Sequence, residues 1–453
     1  VKFSLKPLLI VLLASVLSAC ALTPEYQRPD VSVPEEWAGQ APRLEAQERD
    51  WWQRFNSEEL TELTEAALAN NNDLAASLAR IDQARAGVRS AGATLWPQLD
   101  GSGSASRNYR DGASGSSDQF QLQAAYELDL FGRNRARREA ADASLAARQY
   151  DHRALALSLQ AEVASGYATT LALQERLALA ERNLATTQAV LELVEARYRA
   201  GSGSALEVSQ QRGVVANLES QLPALRQQLT ASRHSLAVLL GRPPQGFAVV
   251  ESALSSLNLP QVAVTQPAEL LERRPDILRV EAELRAANAD IGVARAAFFP
   301  SLRVSATSGV AGALTGGSET IASLAASLTA PIFHGGSLRA GAEQAQARQE
   351  ELVYRYAQAV LTSLQEVEDA LAAVAASAER VEALERAAVE SREAFRLASV
   401  RYEAGSVDLL TVMDAQRSLI QTEDGLIQAE LARYHAAISL FRSMGGGWDV
   451  GSL

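Results

Sequence analysis

"RYRAGS" occupies residues 197–202 and "RYEAGS" residues 401–406. A short turn can recur by chance, so the test is whether the flanking sequence recurs with it. Aligning "DLAASLARIDQARAGVRSAGATLWPQL" from Asp73 with "DILRVEAELRAANADIGVARAAFFPSL" from Asp276 pairs Ala84 with Ala287, Val88 with Ile291, Pro97 with Pro300 and Leu99 with Leu302, at a constant offset of 203. Farther on, Glu162-Val163 meets Glu366-Val367 and Arg197-Tyr198 meets Arg401-Tyr402, at an offset of 204. Separated segments holding one offset indicate a tandem duplication, with a first repeat at 58–260 and a second at 261–453.

Each copy reads as helix, two strands, very long helix, turn, helix. Residues 133–200 and 337–404 contain no proline and one interior glycine each, Gly166 and Gly341, among abundant Ala, Leu, Glu, Gln and Arg. A helix of that length runs about 100 Å at 1.5 Å per residue, which no globular core requires. In the second copy Val353, Val360, Val367, Val374, Val381, Ala388, Phe395 and Tyr402 recur every seventh residue; in the first, Val163, Thr170, Leu177, Leu184, Leu191 and Tyr198 do so. Past the turns, Val208, Val215, Leu222, Leu229 and Leu236 answer the first series, and Met413, Ile420, Ile427, Tyr434 and Phe441 the second. Such spacing predicts two antiparallel coiled-coil hairpins. The hexapeptides are their tips, with Tyr closing each seam and Gly supplying the helix-ending conformation.

The period-two stretches "QLDGSGSASRNY", "QFQLQAAYELDLF", "SLRVSATSGVAG" and "IASLAASLTAPIF" are each about the length of a membrane-spanning strand, bounded by Pro97, Gly132, Pro300 and Gly335. Four strands are too few to close a barrel with a lumen, so several chains have to contribute to one barrel. The other reading is a pair of surface hairpins on a coiled-coil protein.

At the N-terminus, Lys2 and Lys6 precede the apolar "PLLIVLLASVL", and "LSAC" ends at Cys20, the only cysteine. This is similar to a bacterial lipoprotein signal, with residues 1–19 removed and acyl chains placed on Cys20; an ordinary secretory signal is the alternative. Ala21, in place of Asp, resembles the sorting pattern for the outer membrane. Residues 20–57 read as a lipidated extended segment, with Pro24, Pro29 and Pro34 spaced five apart. "DWWQRF" at 50–55 reads as an aromatic anchor into packed structure.

Composition excludes several function classes. A formal net charge of -12 opposes nucleic-acid binding. The four histidines, His152, His234, His334 and His435, have no i,i+3 or i,i+4 partner among themselves, so no metal site is expected. "GSGSA" and "SMGGGW" lack the Lys-Ser/Thr of a phosphate-binding loop, and no convergent acid, base or nucleophile set argues for an enzyme. No cofactor is expected beyond the covalent lipid.

With these features in place, "LSAC", "PEYQRPDVSVPEEW", "WWQRF", "ELDLFGR", "LLERRPDI", "AFFPSL", "APIFHGG", "RYEAGSVDLLTVMDAQRSL" and "SMGGGW" together resemble the outer membrane factors of tripartite efflux systems. These are the TolC-like channels, and the likeness is to their NodT/OprM-like lipoprotein branch. The resemblance implies a mixed α and β membrane protein. It would be a homotrimer in which four strands per chain form a twelve-stranded β-barrel, continued by an α-helical coiled-coil periplasmic barrel. It also implies a passive exit duct for drugs or other small toxic compounds, lipid-anchored in the outer membrane and served by a periplasmic adaptor and an inner-membrane pump. The family's periplasmic gate maps to Leu410 and Asp414, with Arg401, Tyr402 and Arg417 as partners and Arg197, Tyr198, Gln210 and Arg212 at matching places of the first copy. Gly201, Ser202, Gly405 and Ser406 fall where the family meets its adaptor. A membrane-tethered coiled-coil scaffold without a pore is the reading from another class; it leaves the four strand-like stretches without a role.

Overall fold

The computed structural model describes residues 22–38, 50–110, 113–262 and 264–446. Cys20 and the signal-like stretch lie outside the described residues. The described elements are α1 (Glu58–Asn70), α2 (Asn72–Ala93), β1 (Gln98–Arg110), β2 (Ala113–Leu128), α3 (Arg133–Arg199), α4 (Ala205–Leu239), α5 (Pro275–Ala296), β3 (Ser301–Ala311), β4 (Glu319–Thr329), α6 (Ser337–Glu403) and α7 (Leu409–Ser443). From α2 onward the order repeats, with paired helices of 22, 67 and 35 residues. The long helices begin where the proline-free runs begin. Strand β2 stops at Leu128 and β4 at Thr329, so "DLF" and "APIF" are not strand. The chain divides into two compact units.

The first unit contains the sheet. Its order is β1-β2-β3-β4, every neighbour antiparallel, with Gln98 opposite Ala125, Leu128 opposite Leu302 and Ser301 opposite Thr329. Large apolar side chains stand exposed on it, among them Leu99, Leu122, Leu324 and Leu328. The outer edges of β1 and β4 meet no further strand among the described residues, and an unpaired strand edge is a row of unsatisfied amides and carbonyls. Buried Asp118 on β2 accepts bonds from Leu314 N (2.9 Å) and Thr315 Oγ1 (2.9 Å), which folds the β3–β4 connection back onto the sheet.

In the same unit, residues 22–31 lie extended along α5, as the proline spacing predicts. Asn288 Nδ2 donates to the Pro24 carbonyl at 2.7 Å. The Glu281 carboxylate is buried between Arg28 (2.7 Å) and Arg285 (2.6 Å). Burial by itself would lift its pKa, but the two guanidiniums outweigh it and hold the carboxyl below its usual range.

The second unit is helical. Trp51, Trp52 and Phe55 form a buried 3₁₀ turn, and Trp51 stacks on Phe441 with ring centroids 4.9 Å apart. "DWWQRF" is thus the core anchor expected. Gly166 has a packing reason: a Cβ there would sit 2.9 Å from Leu236 Cδ2, so its absence lets α3 and α4 close together.

The heptad reading holds unevenly. Val208, Val215, Leu222, Leu229 and Leu236 are all buried, and α4 continues across Pro223 on its exposed face. On α6, Val360, Val367, Val381, Ala388 and Tyr402 are buried. On α3 the seam leaves the predicted ladder. Leu177, Leu184 and Leu191 are half-buried and Tyr198 is 49% exposed, while Thr187 and Val194 are buried. On α7, Met413 and Ile420 are half-buried, and Leu409, Val412, Gln416 and Leu419 carry the contact. An undistorted helix drifts by about 20° per heptad, and α3 also has two partners to face. Gln211 of α4 donates to the Thr187 carbonyl (3.1 Å) and Gln416 of α7 to the Thr187 hydroxyl (2.8 Å).

His435 of α7 points its Nε2 at Thr169 Oγ1 (3.2 Å) and the Ser165 carbonyl (3.4 Å) of α3. Burial pushes its pKa below the usual histidine value, and the Ser165 carbonyl only partly offsets this. With the folded value depressed, the unfolded chain binds the extra proton. The contribution is therefore whole above pH ~6.5 and is lost as pH falls toward the folded value. Thermal melting followed by circular dichroism should show stability declining from pH 7.5 to 5.5, with a shallower decline in His435→Gln; equal slopes would refute the assignment.

Candidate functional site: the two hairpin tips

Both tips are built by one device. At the end of α3, Gly201 takes φ +77, its amide bonds the Tyr198 carbonyl (3.0 Å) and the Ser202 amide bonds the Arg197 carbonyl (2.9 Å). At the end of α6, Gly405 takes φ +75, with Gly405 N to the Tyr402 carbonyl and Ser406 N to the Arg401 carbonyl, each 2.9 Å. This is the left-handed helix stop that the repeated hexapeptide predicts. Each serine hydroxyl also donates to the carbonyl five residues back, Ser202 to Arg197 (3.2 Å) and Ser406 to Arg401 (3.0 Å). All four proposed adaptor-contact residues, Gly201, Ser202, Gly405 and Ser406, are exposed.

The helices that leave the tips start differently. Ser204 and Glu207 form a reciprocal capping box on α4. On α7 Asp408 caps instead, accepting from the Thr411 amide (3.0 Å) and hydroxyl (2.6 Å), and these bonds lower its pKa.

Above their shared apolar cluster the two tips are joined by a charged side chain, that of Arg197. Arg197 Nη1 donates to the Tyr402 carbonyl at 2.7 Å, and its guanidinium lies 4.5 Å from the centroid of the Tyr402 ring. Tyr402 is 4% exposed, packed with Val194, Val208, Ala398, Leu409 and Val412. Arg197 and Tyr402 are therefore brought together from opposite copies, while Tyr198, the counterpart of Tyr402, is left outside.

The other candidates occupy exposed faces. Leu410 is 54% exposed beside the buried Leu409. Asp414 pairs with Arg417 at 3.2 Å, three residues on, and both are exposed. In the first copy Arg212 pairs with Glu195 at 2.6 Å, while Gln210 is exposed. Arg401 is exposed and contributes its carbonyl to the Ser406 turn. Among the described residues no group of three or more His, Cys, Asp or Glu is placed to hold a metal ion.

Three features escaped the sequence reading. Leu206 is 67% exposed and stands at the 204 offset from Leu410, so the repeat itself could have flagged it. Glu195 as the partner of Arg212 required the antiparallel pairing of α3 with α4. The Thr187, Gln211 and Gln416 layer left only a weak signal, two glutamines interrupting apolar seams. The Oε1 atoms of both glutamines are buried without a partner among the described residues.

A four-stranded antiparallel sheet with long helical hairpins, joined to exposed glycine-capped tips, defines the class of outer-membrane channel proteins that extend into the periplasm. The model of the outer membrane efflux protein family matches residues 63–242 and again 267–446. The chain is 40% identical to the pyoverdine export outer membrane protein OpmQ of Pseudomonas aeruginosa, over 98% of both chains. It is 36% identical to outer membrane protein OprJ of the same organism, over 97% of this chain and 95% of that one. Among solved structures, the outer-membrane channel OprN superposes with a TM-score of 0.87 at 31% identity, covering 95% of this chain and 100% of that one. The protein belongs to the outer membrane efflux protein family, a family of transport channels.

Replacing Arg197 by Met should free the second tip. Amide exchange at Tyr402–Ser406 should accelerate by roughly tenfold or more, since a charge-assisted hydrogen bond contributes ~1.5–3 kcal/mol, with helix content unchanged and Arg197→Lys intermediate. Exchange equal to that of the parent protein would show that Arg197 does not hold the tip.

Proposed function

We propose that this efflux protein works as a homotrimeric, passive exit duct. Four strands from each of three chains close a twelve-stranded barrel through the outer membrane, and the helical hairpins form the periplasmic tunnel. The observation that carries this reading is the sheet with two unpaired edges: like copies on either side would satisfy both. The equal lengths of the paired helices support the tandem duplication, with repeats at 58–260 and 261–453. Acylation of Cys20 would tether the chain to the membrane, and the anchored extended segment at 22–31 is in keeping with that.

In this reading the tunnel is closed at rest near the second tip. Three Leu410 side chains form an apolar constriction and three Asp414 carboxylates an acidic ring that favours cations at the mouth. Arg417, Arg401 and Tyr402 support the closed arrangement, with Arg197, Tyr198, Gln210 and Arg212 on the first-copy side. Gln210 stands where the second copy has Asp414, so only one copy contributes acid. The exposed Gly201, Ser202, Gly405 and Ser406 suit docking of a periplasmic adaptor, whose inner-membrane pump supplies the energy. The cargo is of the class of drugs and other small toxic compounds. Likeness to a protein named for pyoverdine export adds pyoverdine to the candidate cargoes.

Planar-bilayer recording tests the duct and the gate together. The parent protein should reconstitute as a heat-modifiable trimer with a mostly closed, small conductance, and Leu410→Ala with Asp414→Ala should raise the open conductance several-fold. A monomer extractable by salt would defeat the channel, and an unchanged closed state would defeat the gate.

A further inference from the structure

Glu162 on α3 and Glu366 on α6 stand at the 204 offset, one acid in each copy. In the second copy that acid is engaged, because Arg274 binds Glu366 at 2.7 Å. The residue at the 203 offset from Arg274 is Asn71, which carries no charge. Its amide donates to the Leu239 carbonyl (2.9 Å), and its side-chain oxygen caps the start of α2. The first copy therefore keeps the acid and lacks the base. Glu162 is exposed and forms no ion pair among the described residues.

Glu162 lines a cavity of about 750 Å³ bounded by α3, α4 and α7, within the roughly 300–1,000 Å³ of small-molecule sites. Leu173, Leu236, Leu239 and Leu431 give it an apolar lining, among which Ser165, Thr169, Gln228 and Gln428 set polar groups. Among its described lining residues the one other charged side chain is Arg176, and Asp424 holds that guanidinium through two bonds (2.6 and 3.2 Å). His435, bonded to Ser165 and Thr169, is favoured in its neutral form by burial. The unbalanced charge is therefore the negative one of Glu162. Helical period sets which way the cavity opens. Gln160, Tyr167 and Gln174, seven apart on α3, bond the segments packed over that helix: Trp51 Nε1 donates to Gln160 Oε1 (3.2 Å), the Tyr167 hydroxyl to Glu59 (3.0 Å) and Gln174 Nε2 to the Val249 carbonyl (3.3 Å). Glu162, Thr169 and Arg176 each follow two residues later, about 200° around the helix, so the cavity lies on the opposite face of α3. An apolar cleft with one free carboxylate is complementary to an organic cation with an apolar body.

We propose that this cavity is a cargo-contact site in the wall of the duct, taking small organic cations with an apolar body, Glu162 on the positive group and the leucine lining against the rest. The proposal rests on the duct reading: the segments packed on the other face of α3 would fill a lumen placed there, which leaves the cavity facing the inside. One ion pair over an apolar surface holds such a molecule and still lets it leave, as passage requires. With Glu366 paired, the second copy has no equivalent carboxylate, so each chain contributes one site.

Fluorescence titration of the full-length protein in lipid nanodiscs with ethidium, an aromatic cation, tests it, with empty nanodiscs subtracted. The parent protein and Glu382→Gln, which changes an exposed acid paired with Arg386, should bind alike. Glu162→Gln should bind about tenfold more weakly, as loss of a charge-assisted contact implies, and Glu162→Asp should fall between. The anionic dye anilinonaphthalene sulfonate should not displace ethidium; displacement at equal concentration would show an apolar cleft indifferent to charge and overturn the proposal, as would equal binding by Glu162→Gln. If Glu162→Gln fails to fold, carbodiimide labelling of carboxylates in the parent protein, read by peptide mass spectrometry, decides: protection of Glu162 by ethidium with Glu382 labelled as before supports the site, and unchanged labelling of Glu162 refutes it. A parent protein that gives no conductance in planar bilayers refutes the duct, whereas a conducting channel whose ethidium binding is insensitive to Glu162→Gln refutes this site alone.

Discussion

A 67-residue helix in water has to bury one stripe along its length, and on α3 that stripe serves two partners at once. Thr187 concentrates the constraint. Its carbonyl takes Gln211 from α4, its hydroxyl takes Gln416 from α7 and donates onward to Asn183 at 2.6 Å. A polar layer in an otherwise apolar seam costs stability, since two glutamine oxygens there have no partner among the described residues, but it admits one register of three helices. With that register set, Val194, Val208, Tyr402, Leu409 and Val412 converge into a single cluster. The tips inherit their positions from it.

The two tips share one construction but not one environment. Identical glycine stops end α3 and α6, but Tyr402 is sealed in the cluster while Tyr198 faces out. Arg197 reaches across to the partner tip, whereas Arg401, its counterpart, does not enter that cluster. Exposed Leu206 and Leu410 are equivalent by offset, yet only the second is followed by an acid four residues later.

The sheet poses the opposite problem from the helices. Its strands carry small and polar residues with apolar side chains exposed, so burial within the chain cannot stabilise it. In the proposed trimeric barrel, strand pairing at its edges and lipid against its apolar face supply that stability.

Residue order alone determined the repeated order of elements, the long helices to within a residue at each end, the glycine stops and the existence of four strands. Each of these rests on local chemistry, namely proline exclusion, αL-tolerant glycine and hydrophobic period. The α4 seam was equally legible, because that helix buries a strict heptad. The α3 and α7 seams were not, because burial there is decided by which of two neighbours a side chain meets, and a one-dimensional period carries no such information. The same limit hid the Thr187 layer, the Arg212–Glu195 pair and the Arg197–Tyr402 clasp, which join residues 24, 17 and 205 positions apart. The family resemblance pointed to Leu410, Asp414 and the tip glycines as a candidate site; only packing separated the buried tyrosine from its exposed twin.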